Sequence, residues 1–167
     1  MKDQLGGYKR VFGSGPLGLA LSVLLLISAL VLRNNITLPS YHLVPGARFL
    51  IFAIALALTL AMVLWAFRSL PSSQRGRHLS TNGAYRYVRH PLYAAFLTFF
   101  DFGLAILLDH WIFVLWAILL HPLWNILVRP EERLMFKLFG DKYARYSRKT
   151  GKFLPRLGSI FSPQSER

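Results

Sequence analysis

The run PLYAAFLTFFDFGLAILLDHWIFVLWAILLHPLWNILV, residues 91–128, decides the fold of this chain. Within it, Leu92–Leu108 carries a single ionisable side chain, Asp101, and Trp111–Val128 carries only His121. Each half approaches the roughly 20 apolar residues that a helix needs to cross a bilayer. Only two residues separate the halves, so we expect two membrane-spanning helices joined as a tight hairpin.

Two further uncharged runs precede this pair, Gly15–Leu32 and Phe49–Phe67. Hydrophobic residues make up 54% of the chain and charged residues 16%, whereas soluble domains carry about a quarter charged residues. The sequence therefore predicts an all-α, polytopic membrane protein with about four transmembrane helices. We interpret residues 1–167 as one membrane domain, in which short C-terminal helices follow the last span.

The basic residues give an orientation. Lys and Arg total 20 against 7 Asp and Glu, for a net charge of +13, and 18 of the 20 lie before the first span, between the second and third, or after the fourth. The positive-inside rule then places both termini in the cytoplasm. This distribution suits contact with anionic membrane lipids and argues against nucleic acid as a partner. We expect an integral protein of a prokaryotic inner or plasma membrane.

Two polar segments remain on the predicted cytoplasmic side, residues 78–93 and 129–156. In the first, Pro91 is favoured at the opening position of a helix, which makes His90 the expected cap of the third span. The unpaired N–H groups of a helix start, together with Arg89, favour an anion such as a carboxylate or phosphate. The alternative is simple anchoring of basic side chains among the lipid headgroups.

The second segment opens with adjacent carboxylates, Glu131 and Glu132, directly after the fourth span. These side chains either pair with nearby cations on a short helix or receive a cationic or hydroxyl-bearing ligand. A short helix is predicted to Phe139, with Gly140 as its terminating residue, and a second basic helix from Asp141 to about Lys149. Because spans three and four form a hairpin, Glu131 can approach His90.

Two other patterns carry weaker hypotheses. Residues 13–18, GSGPLG, match the dinucleotide fingerprint, but they open a membrane span instead of following a strand, so we reject that reading. Asp101 and His121 are ionisable groups inside predicted spans, which makes them functional candidates by default. They either satisfy each other or line the path of a lipid substrate. The chain has no cysteine, and we predict no metal site.

The order of the polar motifs resembles a known enzyme family. Arg89-His90-Pro91-x-Tyr93, a helical hairpin, and Glu131-Glu132 followed by Phe139-Gly140-x-x-Tyr143-x-x-Tyr146 are similar to the isoprenylcysteine carboxyl methyltransferase family. The membrane phospholipid N-methyltransferases are related to that family. The resemblance covers residues 79–155. It departs from the family pattern at Ala95, where glycine is frequent, and at Leu127, where some members have a substrate-binding arginine.

The resemblance implies S-adenosylmethionine as the cofactor of a small helical membrane enzyme. By similarity, the cofactor-binding residues would be His78, Leu79, Ser80, Tyr85, His90, Pro91, Leu92, Tyr93 and Glu131. We expect methyl transfer to a lipophilic small molecule that enters from the bilayer. Arg89 and Arg129 are candidates for orienting a substrate anion, and Glu132 is a candidate for proton removal.

Three alternatives stay open at this stage. A phospholipid headgroup amine could be the acceptor, a nicotinamide cofactor could replace S-adenosylmethionine, or the chain could be a non-enzymatic scaffold or transporter subunit. The sequence does not fix whether the acceptor atom is oxygen, nitrogen or sulfur, nor does it fix the oligomeric state.

Overall fold

The structure, a computed structural model, describes residues 13–70 and 78–156 of the chain. Helices dominate both ranges, and within them the only β-type pairing is an isolated parallel bridge between Val88 and Gly151. The helices are α1 (Gly15–Leu32), α2 (Pro45–Ser69), α3 (Pro91–Leu107), α4 (Trp111–Leu127) and α5 (Arg129–Lys149), with a short 3-10 turn at Gly83–Arg86.

Three helices in the described ranges are long and apolar enough to cross a membrane. Two are α1 and α2. The third is the continuous helical run Trp111–Lys149, whose apolar part is α4. The predicted third span corresponds to α3, an apolar helix of 17 residues, at the short end of the range that can cross the hydrocarbon core. The all-helical membrane fold predicted from the sequence is thus confirmed.

Helix starts follow the proline positions. Pro91 opens α3 with His90 as its cap, as predicted, and Pro45 opens α2 four residues before the predicted start. At the other end of the hairpin, His110 caps α4 by accepting a hydrogen bond at Nδ1 from the Ile112 N–H, 3.2 Å away. This cap lets α4 begin after a connection of only three residues, 108–110, that follows the 17-residue helix α3.

Helix α3 is not a regular α-helix throughout. Residues Phe96–Phe100 form a π-helical turn between α-helical segments, and such turns leave backbone groups free for other partners. The His121 ring, on α4, lies 6.0 Å from the Phe102 ring of α3. Asp101 is buried just beyond the π-helical turn, and neither the ion pairs nor the hydrogen bonds of the described residues join Asp101 to His121. The predicted mutual pairing of these two groups is therefore absent from the described part of the chain.

The helices pack in the spatial order α1, α4, α3, α2. Gly18 of α1 lies directly against the Trp124 ring of α4. The indole N–H groups of Trp116 and Trp124 donate to the backbone oxygen and the hydroxyl of Ser22, at 3.1 and 3.0 Å. Because a hydrophobic driving force between helices is absent inside lipid, such close packing and interhelical hydrogen bonds hold spans together.

Beyond the last span, α5 is broken at Gly140, whose φ of 49° and ψ of −126° lie outside the helical region. The predicted break and the predicted end at Lys149 are both present. After α5 the chain turns back and runs beside the start of α3. The N–H groups of Arg89 and His90 donate to the carbonyls of Gly151 and Lys152, at 2.8 and 3.1 Å. The tail is thereby fixed against the segment that precedes Pro91.

Candidate functional site

A buried ion pair between Arg89 and Glu132 joins the two predicted polar segments. Arg89 Nε and Nη2 each lie 2.8 Å from Glu132 Oε1, and these side chains are only 9% and 14% exposed. Arg89 Nη1 donates to the backbone carbonyls of Ser147 and Thr150. The guanidinium thus ties the start of α3 to both ends of α5, using donors in the fork geometry that only arginine offers.

Glu132 collects further partners. Lys152 Nζ lies 3.1 Å from Glu132 Oε2, and the hydroxyl of Tyr143 donates to Oε1 at 3.4 Å. Burial by itself would raise the pKa of the Glu132 carboxyl, but the His90 imidazole, the charge of Arg89 and the hydrogen bonds from Arg89 and Lys152 lower that pKa to about 2. Burial and the nearby Glu132 charge raise the pKa of Tyr143. Glu132 is therefore a carboxylate at neutral pH, facing a neutral phenol.

Glu131, the preceding residue of α5, contacts the residue that caps α1. Its Oε1 accepts hydrogen bonds from the backbone N–H of Ser14, at 2.5 Å, and from the hydroxyl of Tyr93, at 3.0 Å. Its Oε2 lies 3.6 Å from Nδ1 of His90. One carboxylate oxygen is thus held by the protein, and the other faces the imidazole.

The His90 ring lies between the two carboxylates. Its Nε2 is 3.6 Å from Glu132 Oε1, beyond ordinary hydrogen-bond length, and this buried nitrogen has no hydrogen-bond partner among residues 13–70 and 78–156. The ring stacks on Tyr93, with centroids 5.7 Å apart, and contacts Phe153 at 6.0 Å. Buried polar atoms without a partner are uncommon and costly, so His90 Nε2 is a candidate ligand contact.

An apolar cavity of about 260 Å³ adjoins this polar cluster. Phe153 belongs to both, because it lines the cavity and contacts His90. Trp65 and Leu154, at 44% and 57% exposure, lie on the outer side of the cavity, where they would face lipid. The full lining is Met62, Trp65, Ala84, Tyr87, Val88, Ala94, Thr98, Phe99, Phe153, Leu154 and Pro155.

The π-helical turn of α3 contributes Thr98 to this lining. The Thr98 hydroxyl oxygen is buried and has no hydrogen-bond partner in the described part of the chain. In a regular helix a threonine hydroxyl commonly bonds a carbonyl of the preceding turn. Thr98 is thus a polar group of the cavity wall whose hydrogen-bonding capacity the described residues leave unused.

The structure brings together only part of the predicted site. Arg89, His90, Tyr93, Glu131 and Glu132 form one cluster through the contacts given above, and Pro91 lies buried beneath it as the first residue of α3. The cluster thus draws on both predicted polar segments, because α3 and α4 return the chain to the same side.

The other predicted residues lie elsewhere. His78 is exposed and Leu79 half-buried, and the Ser80 hydroxyl donates to the carbonyl of Ser69 at the end of α2. Tyr85 accepts a hydrogen bond from Tyr146 through its backbone carbonyl. Leu92 is half-buried on α3. Arg129 is exposed on the first turn of α5, away from the buried ion pair that holds Arg89.

Sequence reasoning missed four residues of this site. Lys152 and Phe153 approach because the tail pairs with the residues before Pro91, and neither carries a local sequence signal. Ser14 lies 117 positions from Glu131, and its motif by itself indicates small residues for membrane entry or close helix packing once nucleotide binding is rejected. Thr98 gave a detectable signal, since it is a polar residue within an apolar span.

Comparisons with known proteins identify the family of this chain. Residues 42–142 match the family model of the phospholipid methyltransferases. A protein-S-isoprenylcysteine O-methyltransferase of Schizosaccharomyces pombe is 30% identical over 95 residues, which are 55% of this chain and 40% of that protein. The chain therefore spans well under half the length of this relative. The family match runs from before α2 into α5 and includes both His90 and Glu131. This membrane protein belongs to the phospholipid methyltransferase family.

Proposed function

We propose that the protein transfers a methyl group from S-adenosylmethionine to a lipophilic acceptor at the cytoplasmic face of the membrane. The observation that carries this proposal is the contact between the polar cluster of Glu131 and His90 and an apolar cavity, with Phe153 shared between them. A methyl donor of high polarity and an acceptor of low polarity need two such environments side by side.

The cluster is suited to the cofactor's polar groups. Glu131 Oε2, beside His90, is a fitting acceptor for an ammonium group or ribose hydroxyls. The buried His90 Nε2 lacks a partner in the described ranges, and leaving such an atom unsatisfied costs about 1–3 kcal/mol. A ligand that hydrogen-bonds this nitrogen removes that cost, which favours binding here over binding at an exposed imidazole.

When bound, S-adenosylmethionine supplies a methyl group on a positively charged sulfur. Transfer from such a centre depends on alignment and on exclusion of water. In this chain Tyr93 and Phe153 flank the His90 ring and exclude water from one side of the cluster, while Glu131 and His90 orient the ligand.

The cavity is suited to a hydrocarbon chain. A cavity of about 150 Å³ lined by apolar side chains stays dry and binds benzene. If the number of carbon atoms scales with cavity volume, the volume of about 260 Å³ accommodates a branched chain of roughly ten carbons. Trp65 and Leu154 at its outer side provide an entrance from the bilayer for an acceptor that never leaves the membrane.

The predicted catalytic residues divide into two roles. Arg89 is fully occupied by Glu132 and two carbonyls, so we assign it to holding the site together. Arg129 is exposed and remains the candidate that attracts an anionic acceptor. Glu132, with its lowered pKa, is a weak base, so an acceptor that is already an anion, such as a carboxylate, suits the site best.

The cytoplasmic placement rests on charge. Eighteen of the 20 basic residues belong to the sequence segments before the first predicted span, between the second and third, or after the fourth, and the positive-inside rule assigns such segments to the cytoplasmic side. We accordingly propose a prokaryotic inner or plasma membrane as the location, with membrane lipids as the surrounding partners.

A second candidate acceptor is a phospholipid headgroup amine. The matching family model is described as phospholipid methyltransferase, and the internal engagement of Arg89 removes one cation that a carboxylate acceptor would use. An amine acceptor must lose a proton. Besides Glu131, the carboxylate of the cluster that can receive it is Glu132.

The first test is a calorimetric titration of the purified protein in mild detergent with S-adenosylmethionine, S-adenosylhomocysteine and NADPH. We expect micromolar binding of the first two, lost in both His90→Ala and Glu131→Ala while the variants remain folded. Binding of NADPH alone would instead identify a reductase, and a folded protein that binds none of the three would be a non-enzymatic module. Radiolabelled methyl transfer to a prenylated cysteine or to phosphatidylethanolamine vesicles then separates the two acceptor classes.

A further inference from the structure

The two residues before α1 make three contacts with the end of α4 and the start of α5. The backbone N–H of Ser14 donates to Glu131 Oε1 at 2.5 Å, and the Ser14 hydroxyl donates to the carbonyl of Leu127 at 2.6 Å. Gly13 packs against the same carboxylate. These contacts link residues more than 110 positions apart, and they involve a segment that precedes the family match at residues 42–142.

Gly13 is the residue that makes this approach feasible. Its φ of +52° is one that side chains with a Cβ rarely adopt, and a Cβ placed there would collide with the Glu131 carboxylate. A backbone that must both turn and come close to another group favours glycine for these two reasons. The rejected dinucleotide fingerprint thus has a structural purpose in this chain, which is contact with a carboxylate.

We propose that Gly13 and Ser14 form a positioning element for the cofactor site, holding Glu131 so that Oε2 faces the ligand. A carboxylate has about four acceptor positions on two oxygens. Ser14 and Tyr93 occupy Oε1, and Oε2 lies toward His90 at 3.6 Å. The ligand therefore meets a carboxylate whose orientation is already set, which lowers the cost of ordering it on binding. This inference rests on the proposed use of Glu131 for S-adenosylmethionine.

A matched pair of substitutions at one position isolates the backbone N–H. Ser14→Ala removes only the hydroxyl, whereas Ser14→Pro removes the hydroxyl and the N–H, and the φ of −85° at this position is close to the proline value. Calorimetry with S-adenosylhomocysteine measures the dissociation constant of each. We expect Ser14→Pro to bind at least about tenfold more weakly than Ser14→Ala, as for loss of a hydrogen bond to a charged group.

Gly13→Ala provides an independent test of the same element, with Gly46→Ala as its control because a Cβ at Gly46 meets nothing within 4 Å. We expect Gly13→Ala to raise the KM for S-adenosylmethionine about tenfold or more and to leave the KM for the acceptor unchanged. Gly46→Ala should alter neither constant. A merely structural role for Gly13 would change both constants together.

The outcomes separate this inference from the proposed function. If the unmodified protein does not bind S-adenosylhomocysteine, the proposed function fails. If it binds, and folded Ser14→Pro and Ser14→Ala bind equally well, the positioning role is refuted while the function stands. If Ser14→Pro fails to fold, the Gly13→Ala variant tests the positioning role instead. Equal KM values for S-adenosylmethionine in Gly13→Ala and Gly46→Ala would also refute that role.

Discussion

Arg89 and Arg129 were predicted to share one role, and the structure gives them different surroundings. The Arg89 side chain is largely buried against three acceptors, whereas Arg129 is exposed. A buried charge left without its partner is costly, whereas an exposed charge interacts mainly with water. The two side chains therefore differ in what their removal does to folding.

We expect Arg89→Ala to destabilise the protein by about 3–5 kcal/mol, as when one member of a buried ion pair is removed. Arg129→Ala should leave the unfolding temperature nearly unchanged, because surface substitutions have small effects. Thermal unfolding of both variants in mild detergent, monitored by circular dichroism, gives this comparison. Equal losses in both variants would contradict the internal role of Arg89.

The same ion pair makes stability depend on pH in a defined window. The pKa of Glu132 is lowered from 4.5 to about 2, so between these values the unfolded chain binds the proton and the folded protein does not. The stabilisation by Glu132 is therefore complete above pH 4.5 and is lost as the pH falls toward 2.

Glu132→Gln should remove this dependence. We expect its unfolding temperature to lie below that of the unmodified protein at neutral pH, and the difference to shrink as the pH falls from about 5 to about 3. Unfolding of both proteins measured at several pH values gives this difference directly. A difference that stays constant with pH would show that the charge of Glu132 does not contribute.

At the level of the helices, Gly140 sets the shape of α5. Its φ of 49° breaks the helix, yet a Cβ there would meet no atom within 4 Å. Gly46, also in open space, has no such backbone requirement. Gly140→Ala should thus cost about 1–3 kcal/mol of unfolding free energy through backbone strain alone, while Gly46→Ala should be neutral or slightly stabilising.

Thermal unfolding of both glycine variants tests this expectation. A further consequence of straightening α5 is that Tyr143 and Tyr146 would leave their buried positions, which an increase in tyrosine accessibility by ultraviolet difference spectroscopy would report. Equal stability of the two variants would mean that α5 tolerates a continuous helix.

The helices themselves were predictable because membrane spans are uncharged runs bounded by visible signals. The bounds of α1 match the uncharged run residue for residue, and His90, Pro91 and Gly140 mark helix ends by local backbone chemistry. The π-helical turn at Phe96–Phe100 was not predictable, since its residues are apolar and compatible with an ordinary helix. It packs mainly against α2, a contact that its local sequence does not specify.

The site was predictable only where its residues lie close to those signals. His90 and Glu131 flank the hairpin, so its geometry brings them together. The partners Ser14 and Lys152 approach from distant parts of the chain, and nothing in their immediate sequence specifies the contact. The burial of Arg89 likewise follows from where α5 ends, which a pattern of charges along the sequence does not encode.

For the whole molecule, the apolar cavity makes a prediction about the acceptor. Met62 lines it, whereas Leu60 on the same helix is 54% exposed. Met62→Trp should fill part of the cavity and raise the KM for a long-chain acceptor about tenfold, in line with the 1–3 kcal/mol typical of overpacking. Leu60→Trp adds the same bulk toward lipid and should leave that constant unchanged.

The acceptor KM of both variants is measured by steady-state methyl transfer to acceptors of increasing chain length. The affinity for S-adenosylhomocysteine should be the same in the two proteins, because neither residue contacts Glu131 or His90. An acceptor KM that is insensitive to Met62→Trp would place the hydrocarbon chain outside this cavity.

The pairing of residues 88–90 with residues 151–152 also sets an order of events during biosynthesis. All the apolar helices are synthesised, and can enter the bilayer, before Gly151 and Lys152 leave the ribosome. The ribosomal tunnel delays their release further, so His90 waits in an incomplete site until residues 151–152 have emerged. A nascent chain of this protein is therefore first a membrane-inserted bundle, and completes the proposed cofactor site only after this tail has been released from the tunnel.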